Sequence, residues 1–385
     1  MDSNDNIKRE LDEVKARWKD STVEDFKQGD WFGRLIRWML ESYARQVDAE
    51  YIRQHYPGLN PASQAKRAIK LAARHTGIAG AISASGMTAL ELSSLGPQAL
   101  ITVPAAGTLI VSDIAFCTRT QLRTTFDLSV IHGAPLAMDD VEDCYFIFQT
   151  ALGVKAVELA GRLPKEFGPK IIAYNVRKLL RSGVRKALQE ALKKASGTAV
   201  ARKLTERAMM RLLVPGVSVP LSYFFNSYFT KKLLTVANQT MYRRGRVVQP
   251  LVRLYKREPQ LPNLSAIKAL ITVIEAGHRE DWSDKQVDAL RYCQRILSLD
   301  DTDLAQLDQY FDRGVDEVLK EFSDISPAAM SELTELMLVA AALAEDDRYD
   351  AGYGAAIAKL STRSSMPLLQ AEVVKRLSPL RASLH

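Results

Sequence analysis

Cysteine is scarce in this sequence: Cys117, Cys144 and Cys293 are the only three, and no two of them form a CxxC pair. An odd number of widely separated cysteines favours neither a disulfide framework nor a zinc ribbon. The first twenty residues, MDSNDNIKRELDEVKARWKD, also lack the apolar stretch that a secretory signal needs. We therefore expect a reducing compartment, on the cytoplasmic side of the membrane.

Signals for strands and for known catalytic chemistry are missing as well. Apolar residues recur at three- and four-residue spacing, which is the helical period. No G-x-S-x-G, Walker A, H-E-x-x-H or G-x-G-x-x-G motif occurs. The histidines are scattered along the chain, at His55, His75, His132, His278 and His385. We expect an all-α protein and favour a non-enzymatic role over an enzymatic one.

Positive charge is concentrated in the middle of the chain. Residues 155–257 hold 23 basic and 4 acidic side chains, whereas residues 1–154 and 258–385 have net charges of −3 and −9. A polybasic segment attracts phosphate-rich partners such as anionic lipid or nucleic acid. The alternative is intramolecular, with the acidic C-terminal part docking on the basic segment.

One basic stretch, LRSGVRKALQEALKK, has the spacing of an amphipathic helix. We interpret it as a contact with an anionic membrane surface. Nucleic-acid binding is the less favoured alternative, because no recognition module is present. The candidate contact residues are Arg181, Arg185, Lys186, Lys193 and Lys194.

The stretch from Thr76 to Ser112 has Glu91 as its only ionisable side chain. Gly80, Ala84 and Thr88 recur every four residues, a spacing that permits close helix approach. Pro97 and Pro104 are expected to break or kink a helix. We therefore predict a re-entrant hairpin or packed short helices rather than one straight transmembrane helix.

A second uncharged stretch lies between Arg211 and Lys231. Wound as a helix, it places Ser218, Ser222, Asn226 and Thr230 on one narrow polar ridge among apolar ridges. Such a helix is predicted to be buried in an apolar bundle that lies in protein or dips into lipid. The aromatic residues expected at the apolar or membrane surface are Phe224, Phe225 and Tyr228.

Turn signals divide the chain into three parts. YPGLN precedes one unit, and KREPQLPNLS, with two prolines, precedes another. A further turn at DISPAAM offers Ser326 or Asp324 as a helix cap. The predicted domains are an N-terminal helical arm over 1–56, a helical domain over 57–257 and a smaller acidic helical domain over 263–385.

Residues of roughly 50–250 resemble the EcsC family of bacterial proteins. The Gly/Ala-rich AGAISASG leads to Asp113 at the start of DIAFCTRTQLRTTFDL, and VIHGAPLAMDD follows with Gly133 and Asp140. The closing element, VPGVSVPLSYFFNSYF, places Pro215 and Gly216 before Asn226. The resemblance implies no catalytic residue, and it implies a role near a transporter component implicated in secretion. The positions it singles out are Asp113, Gly133, Pro215, Gly216 and Asn226.

The acidic C-terminal part faintly resembles the TerB-like helical fold of tellurite-resistance proteins. It contains two helix-turn-helix pieces, IKALITVIEAGHREDWSDKQVDALRYCQRIL and ELMLVAAALAEDDRYDAGYGAAIAKL. Carboxylates in the two turns could hold a hard divalent cation, although the Asp-Gly pairs of TerB-like turns are missing. The candidate ligands are Glu280, Asp281, Asp284, Asp346, Asp347 and Asp350.

These observations favour one function over two alternatives. The favoured protein is non-enzymatic, needs no cofactor and associates peripherally with the cytoplasmic face of a membrane. It would act in stress response, secretion or partner docking through its acidic C-terminal domain. The alternatives are a soluble metal-dependent enzyme that uses the C-terminal carboxylates, and a soluble scaffold or nucleic-acid binder. The oligomeric state and the pathway are left open.

Overall fold

The fold is all-α, as predicted, and no strand occurs in the described part of the chain. It is described here from a computed structural model. That structure describes residues 3–18, 34–35, 38, 42–43, 46–93, 99–134, 136, 143, 218–277, 282–299, 303, 306–307, 315–322 and 324–385.

The described residues belong to two compact units. The first contains the described residues of the stretch that ends at 143, together with 218–238, and the second contains 239–385. The division therefore falls inside one long helix. The three predicted domains, with limits at 56, 257 and 263, stay a prediction.

In the described part of the first unit, the chain forms four helices and the start of a fifth. They are α1 (Ser3–Trp18), α2 (Ala49–His55), α3 (Pro61–Ser93), α4 (Ala99–Ile131) and the first part of α5 (Ser218–Arg257).

Local hydrogen bonds fix the start of α3 and the end of α4. Asn60 Oδ1 accepts a hydrogen bond from the backbone N–H of Ser63 at 2.9 Å, so Asn60 caps α3 and Pro61 occupies its first position. After α4, Gly133 has φ +65°. The backbone N–H of Gly133 donates to the carbonyl oxygen of Val130 at 3.0 Å, and the backbone N–H of Ala134 donates to the carbonyl oxygen of Ser129 at 2.8 Å. This Schellman arrangement explains why glycine stands at position 133.

The described residues of the small-residue stretch from Thr76 to Ser112, 76–93 and 99–112, lie in two long helices that pack against each other. The prediction of packed short helices is wrong, because α4 continues through Pro104 and Gly107. Pro104 lies close to the start of α4, where its missing N–H removes a single backbone hydrogen bond of the helix. None of the helices in the described ranges combines the length and apolar character that a bilayer span requires.

Helix α1 lies on α4 and also contacts α3. It buries Ile7, Leu11 and Val14, which recur at three- and four-residue spacing. Leu35 and Trp38 are buried as well. The described residues of the predicted N-terminal arm are therefore part of the first unit.

The described residues of the second unit form the end of α5, six further helices and two short 3₁₀ turns. The helices are α6 (Leu264–Gly277), α7 (Asp284–Ile296), α8 (Val315–Glu321), α9 (Pro327–Ala342), α10 (Asp350–Leu360) and α11 (Gln370–Leu384). The 3₁₀ turns are Asp347–Tyr349 and Ser361–Arg363.

The two predicted helix-turn-helix pieces are present, as α6–α7 and α9–α10, and they share one hydrophobic core. Ser326, one of the two predicted caps, accepts from the N–H of Ala329 at 3.3 Å. Buried polar bonds also join the pieces: Gln286 Nε2 donates to the carbonyl of Ala340 at 3.1 Å, and Ser283 Oγ donates to that of Leu343 at 2.9 Å.

Helices α6 and α10 approach each other through glycine. A Cβ at Gly277 would overlap the ring of Tyr353, which is 2% exposed. A Cβ at Gly352 would lie 2.6 Å from the carbonyl oxygen of Ala276. Neither the packed ring nor a backbone carbonyl can yield easily, so this crossing requires glycine.

We expect Gly277→Ala to lower the free energy of unfolding of the second unit by about 1 to 3 kcal/mol, because the added methyl overpacks the core. Ala355→Ser, on the exposed side of α10, should change it by less than about 0.5 kcal/mol. Urea titration read by mass-spectrometric hydrogen exchange reports each unit separately. Equal effects of the two substitutions would contradict the close crossing.

Candidate functional site

The polar ridge of α5 faces inward and meets α3 and α4. We call Ser222, Asn226 and Thr230 the polar seam. Asn226 Nδ2 donates a hydrogen bond to Asp113 Oδ1 at 3.3 Å, and the thiol of Cys117 lies 3.8 Å from the same oxygen. Asp113 is fully buried. Two positions that the EcsC resemblance singles out, far apart in sequence, are thus in direct contact.

The polar contacts continue one turn along the helix. Gln121 Nε2 donates to Thr230 Oγ1 at 2.9 Å, and the hydroxyl of Thr76 lies 3.0 Å from the same atom. Thr76 Oγ1 also lies 3.2 Å from the carbonyl oxygen of Asn226. The side chains of Thr76, Gln121 and Thr230 are buried. Each of the three helices therefore contributes polar groups to one buried network.

Glycine in α3 makes this network possible. A Cβ at Gly80 would overlap the side-chain amide of Asn226 and would lie 2.8 Å from the carbonyl oxygen of Ser222. A Cβ at Gly77 would lie 2.9 Å from the ring of Tyr223. The predicted role of Gly80 in close helix approach is therefore observed.

Large aromatic side chains of α5 are exposed, with Phe224 and Tyr228 opposite the polar seam and Tyr223 and Phe229 flanking it. Tyr223, Phe224, Tyr228 and Phe229, which we call the aromatic face, are 40%, 59%, 50% and 45% exposed. The prediction of burial within a protein bundle is therefore wrong for these residues, and the alternative that they contact lipid stays a prediction. Only one side of α5 packs on α3 and α4. It is the side of the polar seam, because the polar groups of the seam find hydrogen-bond partners there.

Stacking orders the aromatic face. The rings of Phe224 and Tyr228 lie 5.9 Å apart with 11° between their planes. Those of Phe225 and Phe229 lie 6.1 Å apart with 17° between their planes. Phe225 is partly buried. Pairs four residues apart on a helix meet in this way, so the rings form two adjacent rows.

The basic residues of α5 have two different environments. Lys231 and Lys232 are exposed and form no ion pair within the described ranges. Further along the helix, Arg253 Nε lies 2.7 Å from Glu332 and its Nη2 lies 2.6 Å from Glu335. Arg257 reaches Glu332 at 3.2 Å. The intramolecular alternative thus holds for the C-terminal end of the basic segment.

The candidate metal ligands of the second turn have other contacts. Asp350 accepts from two nitrogens of Arg381, one at 3.0 Å, and Asp346 accepts from Arg348 Nε at 2.6 Å. Asp347 and Asp284 are exposed at the starts of their helices. Within the described residues, no group of three His, Cys, Asp or Glu side chains is placed to hold a metal ion.

Several predicted site residues lie outside the described part of the chain. They are Arg181, Arg185, Lys186, Lys193, Lys194, Asp140, Pro215, Gly216, Glu280 and Asp281.

The first unit also holds an ionisable pair that sequence inspection missed. The hydroxyl of Tyr43 donates to Asp127 Oδ1 at 2.6 Å. Burial raises the pKa of Asp127 to about 7, although the hydrogen bond from Tyr43 and the charge of Arg123 lower it. The pair joins the N-terminal arm to α4. An isolated aspartate within a helix gives no sequence signal of such a contact.

Because Gly80 lies against the side chain of Asn226, we predict that the effects of substituting these two residues on stability are coupled. Gly80→Ala and Asn226→Ala should each destabilise the first unit, by about 1 to 3 kcal/mol, through overpacking and through loss of a buried hydrogen bond. In the Asn226→Ala background the added methyl has more room. The double substitution should therefore cost less than the sum, by about 0.5 kcal/mol or more.

Urea titration read by hydrogen exchange of α3 and α4 measures these values. Ser85→Ala, at an exposed position of α3, is the matched control and should change stability by less than about 0.5 kcal/mol. Strict additivity of the Gly80 and Asn226 effects would contradict direct contact between the two residues.

The raised pKa of Asp127 predicts a pH-dependent stability of the first unit. Between 3.8, its ordinary pKa, and about 7, the folded state binds the proton more tightly than the unfolded state. This contribution is complete below about pH 4 and is lost as the pH rises through about 7. The stability of wild type relative to Asp127→Asn should therefore fall between pH 4.5 and pH 7.5. A constant difference across that range would contradict the assignment.

No family model, curated protein or solved structure matches this chain. The EcsC resemblance therefore stays a prediction that rests on the motifs around Asp113, Gly133 and Asn226. The TerB-like resemblance of the second unit stays a prediction as well.

Proposed function

We propose that this protein is non-enzymatic and associates peripherally with an anionic membrane surface through the aromatic face of α5. The observation that carries the proposal is the outward display of Phe224 and Tyr228, with exposed Tyr223 and Phe229 beside them, on a helix whose polar seam faces α3 and α4. Contiguous exposed apolar side chains mark interaction surfaces. Aromatic rings are also favoured at the level of lipid headgroups.

Charge beside the aromatic face supports a lipid partner over a neutral one. Lys231 and Lys232 are exposed directly after Phe229 and Thr230. A helix with aromatic residues on its outer side and adjacent lysines suits binding parallel to the membrane, with shallow insertion. The +19 net charge of residues 155–257 adds long-range attraction, apart from the arginines that pair within the second unit.

The wider role follows from the two resemblances. A member of the EcsC family would act at the cytoplasmic face, in secretion-related or stress-response processes. The acidic C-terminal part, residues 258–385 with a net charge of −9, would dock a protein partner. The metal-dependent enzyme and the nucleic-acid binder remain the alternatives, and no contact among the described residues favours either.

Vesicle flotation tests the apolar part of the proposal. Phe224→Ser with Tyr228→Ser should reduce binding to phosphatidylglycerol vesicles by about tenfold or more, because burying one such ring contributes about 1.5 to 3 kcal/mol. Met366→Ser with Leu369→Ser removes exposed apolar side chains from the second unit and is the matched control. Equal loss in both double variants would contradict a specific aromatic face.

Lys231→Gln with Lys232→Gln tests the electrostatic part. Two basic residues contribute about 2 kcal/mol at an anionic surface, so binding should weaken by up to about thirtyfold at low salt. Neutral phosphatidylcholine vesicles should show no such difference, and added salt should reduce it. Lys375→Gln, at an exposed lysine outside the basic segment, should bind as wild type does. Equal binding of wild type to neutral and anionic vesicles would overturn this part.

A further inference from the structure

Arg119 and Arg123 lie one turn apart on α4, and each faces a glutamate of α1. Arg119 Nη1 is 3.4 Å from Glu13 Oε2, and Arg123 Nη1 is 3.5 Å from Glu10 Oε2. Both distances exceed the 2.7 to 2.9 Å that is typical of a charge-assisted N–H···O bond. These ion pairs are therefore loose.

An aromatic ring lies against each of the two guanidinium groups. The Cζ atom of Arg119 is 4.0 Å from the centroid of the Trp38 ring, and that of Arg123 is 4.2 Å from the Tyr43 ring. Cation–π contacts hold a guanidinium plane in a fixed orientation while its N–H groups remain available at the edge. The two arginines are thus preorganised side by side.

Arg119 is buried, but not all of its N–H groups have a hydrogen-bond acceptor among the described residues. The residue is only 8% exposed, and its Nε has no hydrogen-bond partner among the residues that the structure describes. Burial and the neighbouring charge of Arg123 lower the pKa of Arg119, whereas Glu13 raises it. A buried cation with an unused donor favours an additional anion nearby.

The side chains of Glu10 and Glu13 can move away from the two arginines without a shift of helix α1. The side chains of Glu13 and Glu10 are 53% and 38% exposed, and Ile7, Leu11 and Val14 anchor the helix on its other face. Rotation of the two glutamate side chains into solvent would free the guanidinium edges. The apolar contacts of α1 need not change.

We propose that Arg119 and Arg123 form a binding site for a phosphate group, and that the carboxylates of Glu10 and Glu13 occupy it in this structure. Two guanidinium groups one helical turn apart can each donate paired N–H groups to phosphate oxygens. Trp38 and Tyr43 limit the access of water from the ring side. The carboxylates of Glu10 and Glu13 compete with phosphate for the same guanidinium groups and therefore lower the affinity for phosphate.

Calorimetric titration of the full chain with inorganic phosphate tests this site, with sodium chloride at matched ionic strength as the reference. Glu10→Gln with Glu13→Gln removes both competitors and should tighten binding by about tenfold, or about 1.4 kcal/mol. Adding Arg123→Gln to that variant should abolish the gain. Arg119 is not substituted, because its burial makes loss of folding a confounding result.

The matched control is Glu50→Gln, which removes an exposed glutamate that pairs with Arg53 at 2.6 Å. It should bind phosphate as wild type does. Near-UV circular dichroism verifies the fold of every variant. The same series, carrying Phe224→Ser to weaken the aromatic face, is also titrated with phosphatidic acid vesicles.

A gain with inorganic phosphate identifies a soluble phosphate compound as the ligand, and a gain with vesicles alone identifies a lipid headgroup. Both results support the site, provided that Arg123→Gln removes the gain. The proposal is overturned if neither probe binds more tightly to the Glu10→Gln, Glu13→Gln variant, or if Arg123→Gln leaves its binding unchanged.

Discussion

The hydrogen bond between Asn226 and Asp113 is the contact on which the arrangement of the first unit depends. The buried carboxylate of Asp113 needs a hydrogen-bond donor, and the partly buried amide of Asn226 supplies one when α5 turns its polar seam toward α3 and α4. Gly80 permits the approach, because any side chain there would occupy the place of the Asn226 amide. Once this side of α5 is fixed inward, Phe224 and Tyr228 are left outward.

The basic segment of α5 is used in two ways along a single helix. Arg253 and Arg257 neutralise Glu332 within the second unit, where their charge stabilises the fold. Lys231 and Lys232 remain exposed beside the aromatic face and keep their charge for a partner. The net charge of residues 155–257 cannot distinguish these two uses. Each use depends on whether the fold places the basic side chain next to an acidic one.

Residue spacing predicted the helical class, the turn before Pro61, the Ser326 cap and the close approach at Gly80. It also placed Asn226 on a polar ridge and named Phe224 as a surface residue, but it left open whether protein or lipid covers that ring, since periodicity identifies the faces of a helix and not what they contact. Pro104 was expected to interrupt a helix that in fact continues, because one missing bond near a helix start costs little. The pairing of Arg119 with Glu13 joins residues far apart in the chain, which no local pattern reveals.

The central claim is that α5 buries its polar seam and presents its aromatic face to an anionic membrane. Hydroxyl-radical footprinting of the native chain, read residue by residue by mass spectrometry, tests it most directly. Phe224 and Tyr228 should be oxidised in the free protein and protected on phosphatidylglycerol vesicles, while Met366 and Leu369 stay oxidised in both states. Rings that resist oxidation in the free protein, or that stay oxidised on the vesicles, would contradict the account.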